Sequence, residues 1–239
     1  MKIKIPIPGV ILIQEESQFE ISYAFMRLQE FYEHRDESRQ GNFYTLDEVI
    51  ENYRESGHSG KFSYLEDWGG FNVPSTAVLS FIEMYKHDFT AREKILFDTL
   101  QKVLDQEENA KIDDKFYLIG SCSDLYNDHE ICHAIFYLYS DYRRDAEKLL
   151  KTLNKAEVSA VTKMLKDAGY SDSVISDEIN SYLSSSDMYY IKETVFEHLE
   201  LKGNQKWSWD KIYKFVENYW TWKEELSIEE DEQEIKINE

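Results

Sequence analysis

Apolar positions recur at helical spacing along most of this chain and at strand spacing only briefly. The segment "KIKIPIPGVILI", residues 2–13, is rich in β-branched residues and predicts an extended stretch, with Pro6 and Pro8 placing it at an edge or bend. From Ile21 to His34, "ISYAFMRLQEFYEH" carries its apolar residues at three- and four-residue intervals, which predicts a helix. Thr45 and Glu48 stand in capping-box spacing and predict that a helix opens over 45–56. The glycine-rich stretch "GHSGKFSYLEDWGGFNVPS" then reads as a long loop. Helices follow over about 75–87 and 90–108, the second announced by Thr90 and Glu93.

The period changes at "DDKFYLIGS", where Phe116 to Ile119 form a compact strand-like run that Gly120 and two serines stop. A helix begins immediately afterwards and carries residues 127–145. Asn154 and Glu157 cap the next helix, which Gly169 ends. Further helices are expected over about 173–185, 189–201 and 209–224. The expected fold class is α+β, mostly helical. Residues 1–226 read as a single domain, with an N-terminal part over 1–112 and a second part over 113–226. An acidic, loose tail spans 227–239.

Composition narrows the function classes. With 239 residues, 42% of them hydrophobic and 15% aromatic, the chain can bury a real core. No apolar run approaches the ~20 residues that cross a bilayer, and the prolines after "MKIK" break any signal-peptide pattern. No membrane partner is expected. Two cysteines, Cys122 and Cys132, are too few for a disulfide framework, which favours a reducing cytoplasm. A net charge of −20 argues against direct nucleic-acid binding, because phosphate contacts need basic patches. An acidic mimic that binds basic proteins is a faint alternative.

The stretch that carries chemistry is "NDHEICHAIFYLYSDYRRD", residues 127–145. On a helix, His129 and His133 lie about 40° apart, so both imidazoles can reach one ion. Glu130 falls to the side, where it can hold a water on that ion without being a ligand. Ile131, Ile135 and Leu138 cluster on the opposite face and leave the histidine face distinct from the core face. A surface helix with unrelated polar residues is the plain alternative.

The pattern around these residues resembles that of the zincin metallopeptidases: uncharged Ile131 and Cys132 inside the motif, small Ala134 after it, then apolar Ile135. The resemblance covers about 30 residues. It implies a zincin-like fold, a small sheet with an active-site helix followed by a helical C-terminal half. It also implies an edge strand that pairs with the substrate backbone, for which Tyr117 to Gly120 is the candidate. The glycine and third histidine of metzincins are absent downstream, which leaves the gluzincin type, HExxH with a later glutamate ligand. Glu178, in "VISDEINSYL", is the expected third ligand; Asp177 is the runner-up, ahead of Asp141, Asp145 and Glu147. The resemblance then implies Zn2+ on His129, His133 and Glu178, with Glu130 as the catalytic base of a zinc-activated water.

The match has gaps. Thermolysin-like gluzincins carry an acidic residue one turn after the ligand glutamate, and Tyr182 stands there in this chain. The partner of a zinc-bound histidine must then come from elsewhere, with Asp128 or a backbone carbonyl as candidates. For a transition-state donor, Tyr142, Tyr189, Tyr190 and His198 are candidates without a preference. Cys132 reads as a small buried residue, His58 as a surface histidine. Trp207, Trp209, Trp220 and Trp222 read as core or subunit packing, or as a patch for a protein partner or a homo-oligomer. The expected function is a zinc-dependent hydrolase acting on a peptide or protein substrate. The alternative is a helical interaction or inhibitor protein that keeps a zincin-like fold without turnover.

Overall fold

The computed structural model of the chain describes residues 1–55, 60–185, 207–229 and 234–235. Two compact units result, one of Met1–Asn127 with Ser227–Glu239, the other of Asp128–Leu226. The division falls inside a helix, where no shift of composition marks it.

The first unit holds a four-stranded mixed sheet in the order β1-β2-β4-β3. Strands β1 (Lys2–Lys4) and β2 (Val10–Gln14) pair antiparallel, Lys2 opposite Gln14, so the prolines of the expected extended segment occupy the turn between two strands. Strand β4 (Tyr117–Ser121) runs parallel to β2, with Val10 opposite Tyr117. Its other side takes β3 (Gly70–Pro74) antiparallel, Phe71 opposite Gly120. The glycine-rich stretch is therefore not one loop. It forms a short helix α3 (Tyr64–Asp67) and an edge strand in which Phe71 and Val73 are buried at period two. The strand signal was diluted by Gly70 and Pro74 at its two ends.

Helix α1 (Gln18–Glu33) lies against β3, β4 and helices α2 (Leu46–Glu55) to α5. Helix α4 spans Ser75–Tyr85 and α5 spans Ala91–Gln106. Both threonine capping signals hold. The Thr90 hydroxyl accepts from the Glu93 N–H while Glu93 accepts from the Thr90 N–H, and Thr45 and Glu48 exchange the same pair of bonds. Phe25, Phe71, Phe81, Tyr85 and Leu118 are fully buried in the core between these layers. The acidic tail is anchored where it is described: the Ile228 N–H donates to Pro6 O, and Glu234 bridges Lys4.

In the second unit, α6 (Asp124–Leu138, begun in the first unit) ends at Tyr139, whose backbone is extended at φ −108°, ψ 98°. A separate helix α7 (Ser140–Leu150) follows, so residues 127–145 are two helices rather than one. Helix α8 (Lys155–Ala168) has the predicted Asn154/Glu157 capping box, and Gly169 closes it in the left-handed conformation at φ 106°. Helix α9 (Ile175–Ser184) packs on α7, α8 and α10 (Trp209–Leu226) around Leu165, Ile179, Leu183 and Phe215. The helix expected over 189–201 lies outside the described residues. No helix among the described residues is long and apolar enough to cross a membrane.

Candidate metal centre

The site is built on two helices of the second unit. On α6, the four-residue interval brings His129 and His133 onto one side, with their Nε2 atoms 3.2 Å apart. On α9, Glu178 sits in the first turn and is buried. Its Oε1 approaches His133 Nε2 at 3.5 Å and its Oε2 approaches His129 Nε2 at 3.8 Å. One ligand atom from each of the three residues lies within 4.8 Å of the other two. The expected ligand set is thus brought together, over a gap of 45 residues in sequence between His133 and Glu178.

The outer partners differ from the sequence reading. His133 Nδ1 donates to Asp177 Oδ2 at 2.9 Å, so the runner-up ligand supports an imidazole instead. Asp177 immediately precedes Glu178, and two adjacent helical residues point about 100° apart, enough to reach both nitrogens of one ring. Ser185 lies seven residues past Glu178, two turns along the same side, and its hydroxyl stands 3.5 Å from His129 Nδ1. Tyr182 packs edge-on against His129, centroids 4.9 Å apart. Asp128 is engaged elsewhere. Its carboxylate takes the Tyr219 hydroxyl at 2.9 Å and the Lys223 ammonium, both from α10. The trailing acids also fall away from the site: Asp141 and Asp145 pair with Arg144 and Lys148 at the surface, and Glu147 is exposed.

Burial dominates the electrostatics. Desolvation pushes the His129 imidazolium well down, helped by His133. The same desolvation opposes charge on His133, but Asp177, Glu178 and Glu130 outweigh it and hold its proton affinity well above the ordinary histidine range. A buried acidic pocket of this kind demands a positive charge. A protonated His133 would supply it, and so would a divalent cation held by two imidazole nitrogens and a carboxylate oxygen, a donor set that suits zinc. Glu130 is buried on the same helix, close enough for its charge to act on His133.

The core face of α6 is not limited to isoleucines. Every residue from Glu130 to Ile135 is buried, so His133 is covered as well, whereas His129 stays 25% exposed. Cys132 is fully buried and bonds to Tyr142 and Asn180 rather than facing the ligands. Burial pushes its thiol up to about 11, so it stays protonated. Tyr142 is likewise occupied in that contact and does not stand as a transition-state donor. Tyr189, Tyr190, His198 and His58 lie outside the described residues. Of the tryptophans, Trp222 packs on Tyr142 and Tyr139, whereas Trp220 is 41% exposed.

One expectation from the resemblance is corrected. Strand β4 lies between β2 and β3, with both of its sides bonded, so Tyr117 to Gly120 cannot be an edge that receives a substrate backbone. The chain matches no protein-family model, no curated protein and no solved structure. Its class therefore rests on fold and site alone: an α+β chain, mostly helical, with a largely buried His-His-Glu cluster on two helices.

Proposed function

We propose that this protein is a zinc-dependent hydrolase of gluzincin type with a zincin-like metal-bearing part, acting on peptide bonds in a reducing cytoplasm. The observation that carries the reading is the mutual approach of His129, His133 and Glu178. Three ligands from two helices, with no fourth protein ligand among the described residues, leave a coordination position open, as catalytic zinc requires. When bound, zinc would polarise a carbonyl and lower the pKa of a water in that position. Glu130 would act as the base that takes a proton from the attacking water and returns it to the departing amine. Asp177 would hold the His133 Nδ1–H, leaving Nε2 as the nitrogen to hold the metal.

The test compares wild type with Glu130→Gln. Protein purified without added metal is analysed for zinc, then assayed against a peptide library with and without a chelator. One zinc per chain in both proteins is expected, with cleavage lowered about 100- to 10,000-fold in the variant. Metal-free wild type from zinc-replete cells would remove the basis of the reading. Zinc without cleavage of any peptide would favour an interaction protein that keeps the site.

A further inference from the structure

A second cluster lies beside the ligands, and the proposed chemistry does not use it. The Cys132 thiol, the Tyr142 hydroxyl and the Asn180 amide are all fully buried. Asn180 Nδ2 donates to Cys132 Sγ at 3.3 Å and to Tyr142 Oη at 3.2 Å, and Tyr142 Oη stands 3.3 Å from Cys132 Sγ. The Ser184 hydroxyl closes the group by donating to Asn180 Oδ1 at 3.2 Å. Three helices contribute: Cys132 from α6, Tyr142 from α7, Asn180 and Ser184 from α9.

Such a cluster contributes little net stability, because each of its hydrogen bonds replaces one that water offered the unfolded chain. Apolar residues of the same size would fill the space at less risk. What hydrogen bonds add is direction. Apolar contact tolerates sliding and rotation, whereas a hydrogen bond is lost within a few tenths of an ångström or a few tens of degrees. The position matters too. Cys132 immediately precedes the ligand His133, and Asn180 is two residues past the ligand Glu178. On α9, Asn180 lies about 60° around from Asp177, the residue that holds His133 Nδ1. The His133–Asp177 bond ties α6 to α9 at one point only, which leaves rotation about that contact for a second set of bonds to fix.

We propose that the buried Cys132–Tyr142–Asn180 cluster is a positioning device that fixes the rotation and spacing of α6 against α9, and so holds His133 and Glu178 at ligand distance. This rests on the metal reading above. None of the three residues is a ligand or a catalytic group. They act through the helices that carry the ligands.

The experiment uses the full chain, stripped of metal, and compares wild type with the double variant Tyr142→Phe/Asn180→Leu. The pair is changed together so that neither polar group is stranded. Zinc affinity is measured by competition with a chromophoric chelator, ligand geometry by the visible absorption of bound Co2+, and the folded fraction by denaturant unfolding. The double variant should bind zinc about 10- to 100-fold more weakly, the range for groups that orient ligands without touching the metal. Its Co2+ bands should shift and weaken. Leu100→Ala, which opens a void in the core of the first unit, should lower stability but leave affinity and spectrum unchanged. If the double variant does not fold, Tyr142→Phe alone removes a single oxygen and should shift both readouts in the same direction. Wild-type affinity and spectrum in the folded variants would overturn the proposal and leave the metal site standing. So would a loss of affinity that merely tracks the unfolded fraction. A wild-type protein that takes up neither zinc nor Co2+ would overturn the metal reading itself, and this one with it.

Discussion

Asp177 and His133 meet through Oδ2 and Nδ1 at 2.9 Å, while Glu178, the next residue along, approaches the other nitrogen of the same ring at 3.5 Å. Adjacent carboxylates thus take different roles from one backbone step. Asp177 accepts from the Nδ1–H, and Glu178 lies beside Nε2, the nitrogen that the proposed zinc would take. On the proposed reading, that hydrogen bond would raise the basicity of the nitrogen facing the metal and hold the ring in place.

The two acids should therefore be separable by metal affinity. Asp177→Asn keeps an acceptor for His133 Nδ1 and should weaken zinc by about 10-fold, whereas Glu178→Gln removes a charged ligand and should cost more. His133→Ala should abolish stoichiometric binding. Chelator competition on the purified variants gives the order; equal effects of Asp177→Asn and Glu178→Gln would contradict the division of roles.

In the first unit, the tightest constraint falls on Gly120. A Cβ built there would sit 2.6 Å from Cε2 of Phe25, a ring fully buried in the core and stacked on Phe71 at 5.4 Å. The ring cannot retreat without displacing its neighbours. Gly120→Ala should destabilise the protein by about 1–3 kcal/mol through overpacking, read as a lower denaturant midpoint. Trimming the ring as well, with Phe25→Leu, should recover part of that loss.

Arg27 and Glu93 form a buried ion pair, 2% and 1% exposed. Arg27 Nε donates to Glu93 Oε1 at 2.7 Å, and Nη1 reaches Asp88 at 2.8 Å. Arg27→Met leaves the Glu93 charge uncompensated and should cost about 3–5 kcal/mol in equilibrium unfolding. Asp88→Ala should cost much less, because Asp88 is half exposed and Glu93 stays paired.

Glu30 should make stability depend on pH. Burial raises its carboxyl from 4.5 to about 7, against a smaller opposing effect of Arg39. The folded state thus holds this proton more tightly than the unfolded chain. Both states are protonated below about pH 4.5, so the group has no effect there. Stability then falls as the pH rises from about 4.5 to about 7, by up to about 3 kcal/mol, and levels off above that. Glu30→Gln should be more stable than wild type at pH 8 and equal to it near pH 4, as measured by thermal melts across that range.

Much of this molecule was legible from local sequence, because local sequence is where capping and periodicity act. Thr45, Thr90 and Asn154 each bond within three residues of themselves, so the helices they open could be read without knowing any neighbour. The histidine pair follows from one turn of helix. The placement of Glu178 beside the histidines was also reachable, from an acidic residue flanked by apolar positions and a resemblance that asked for one.

Other features exist only through partners distant in the chain. Strand β3 is five residues with a glycine and a proline at its ends, and it becomes a strand because β4 offers hydrogen bonds 43 to 51 residues away. Gly120 reads locally as a stop, but the strand passes through it because Phe25 occupies the space a side chain would take. That β4 is central rather than an edge depends on β2 and β3 both pairing with it, and hydrophobic pattern does not record strand order. At the site, the sequence determined which residue types could bind a metal. Only the approach of α9 to α6 decided that Asp177 supports His133 and that Cys132 bonds to Asn180, and only that of α10 decided that Asp128 is spent on Tyr219 and Lys223. Hydrogen bonds between helices act over about 3 Å, and the chain separation that precedes such contacts leaves no local trace.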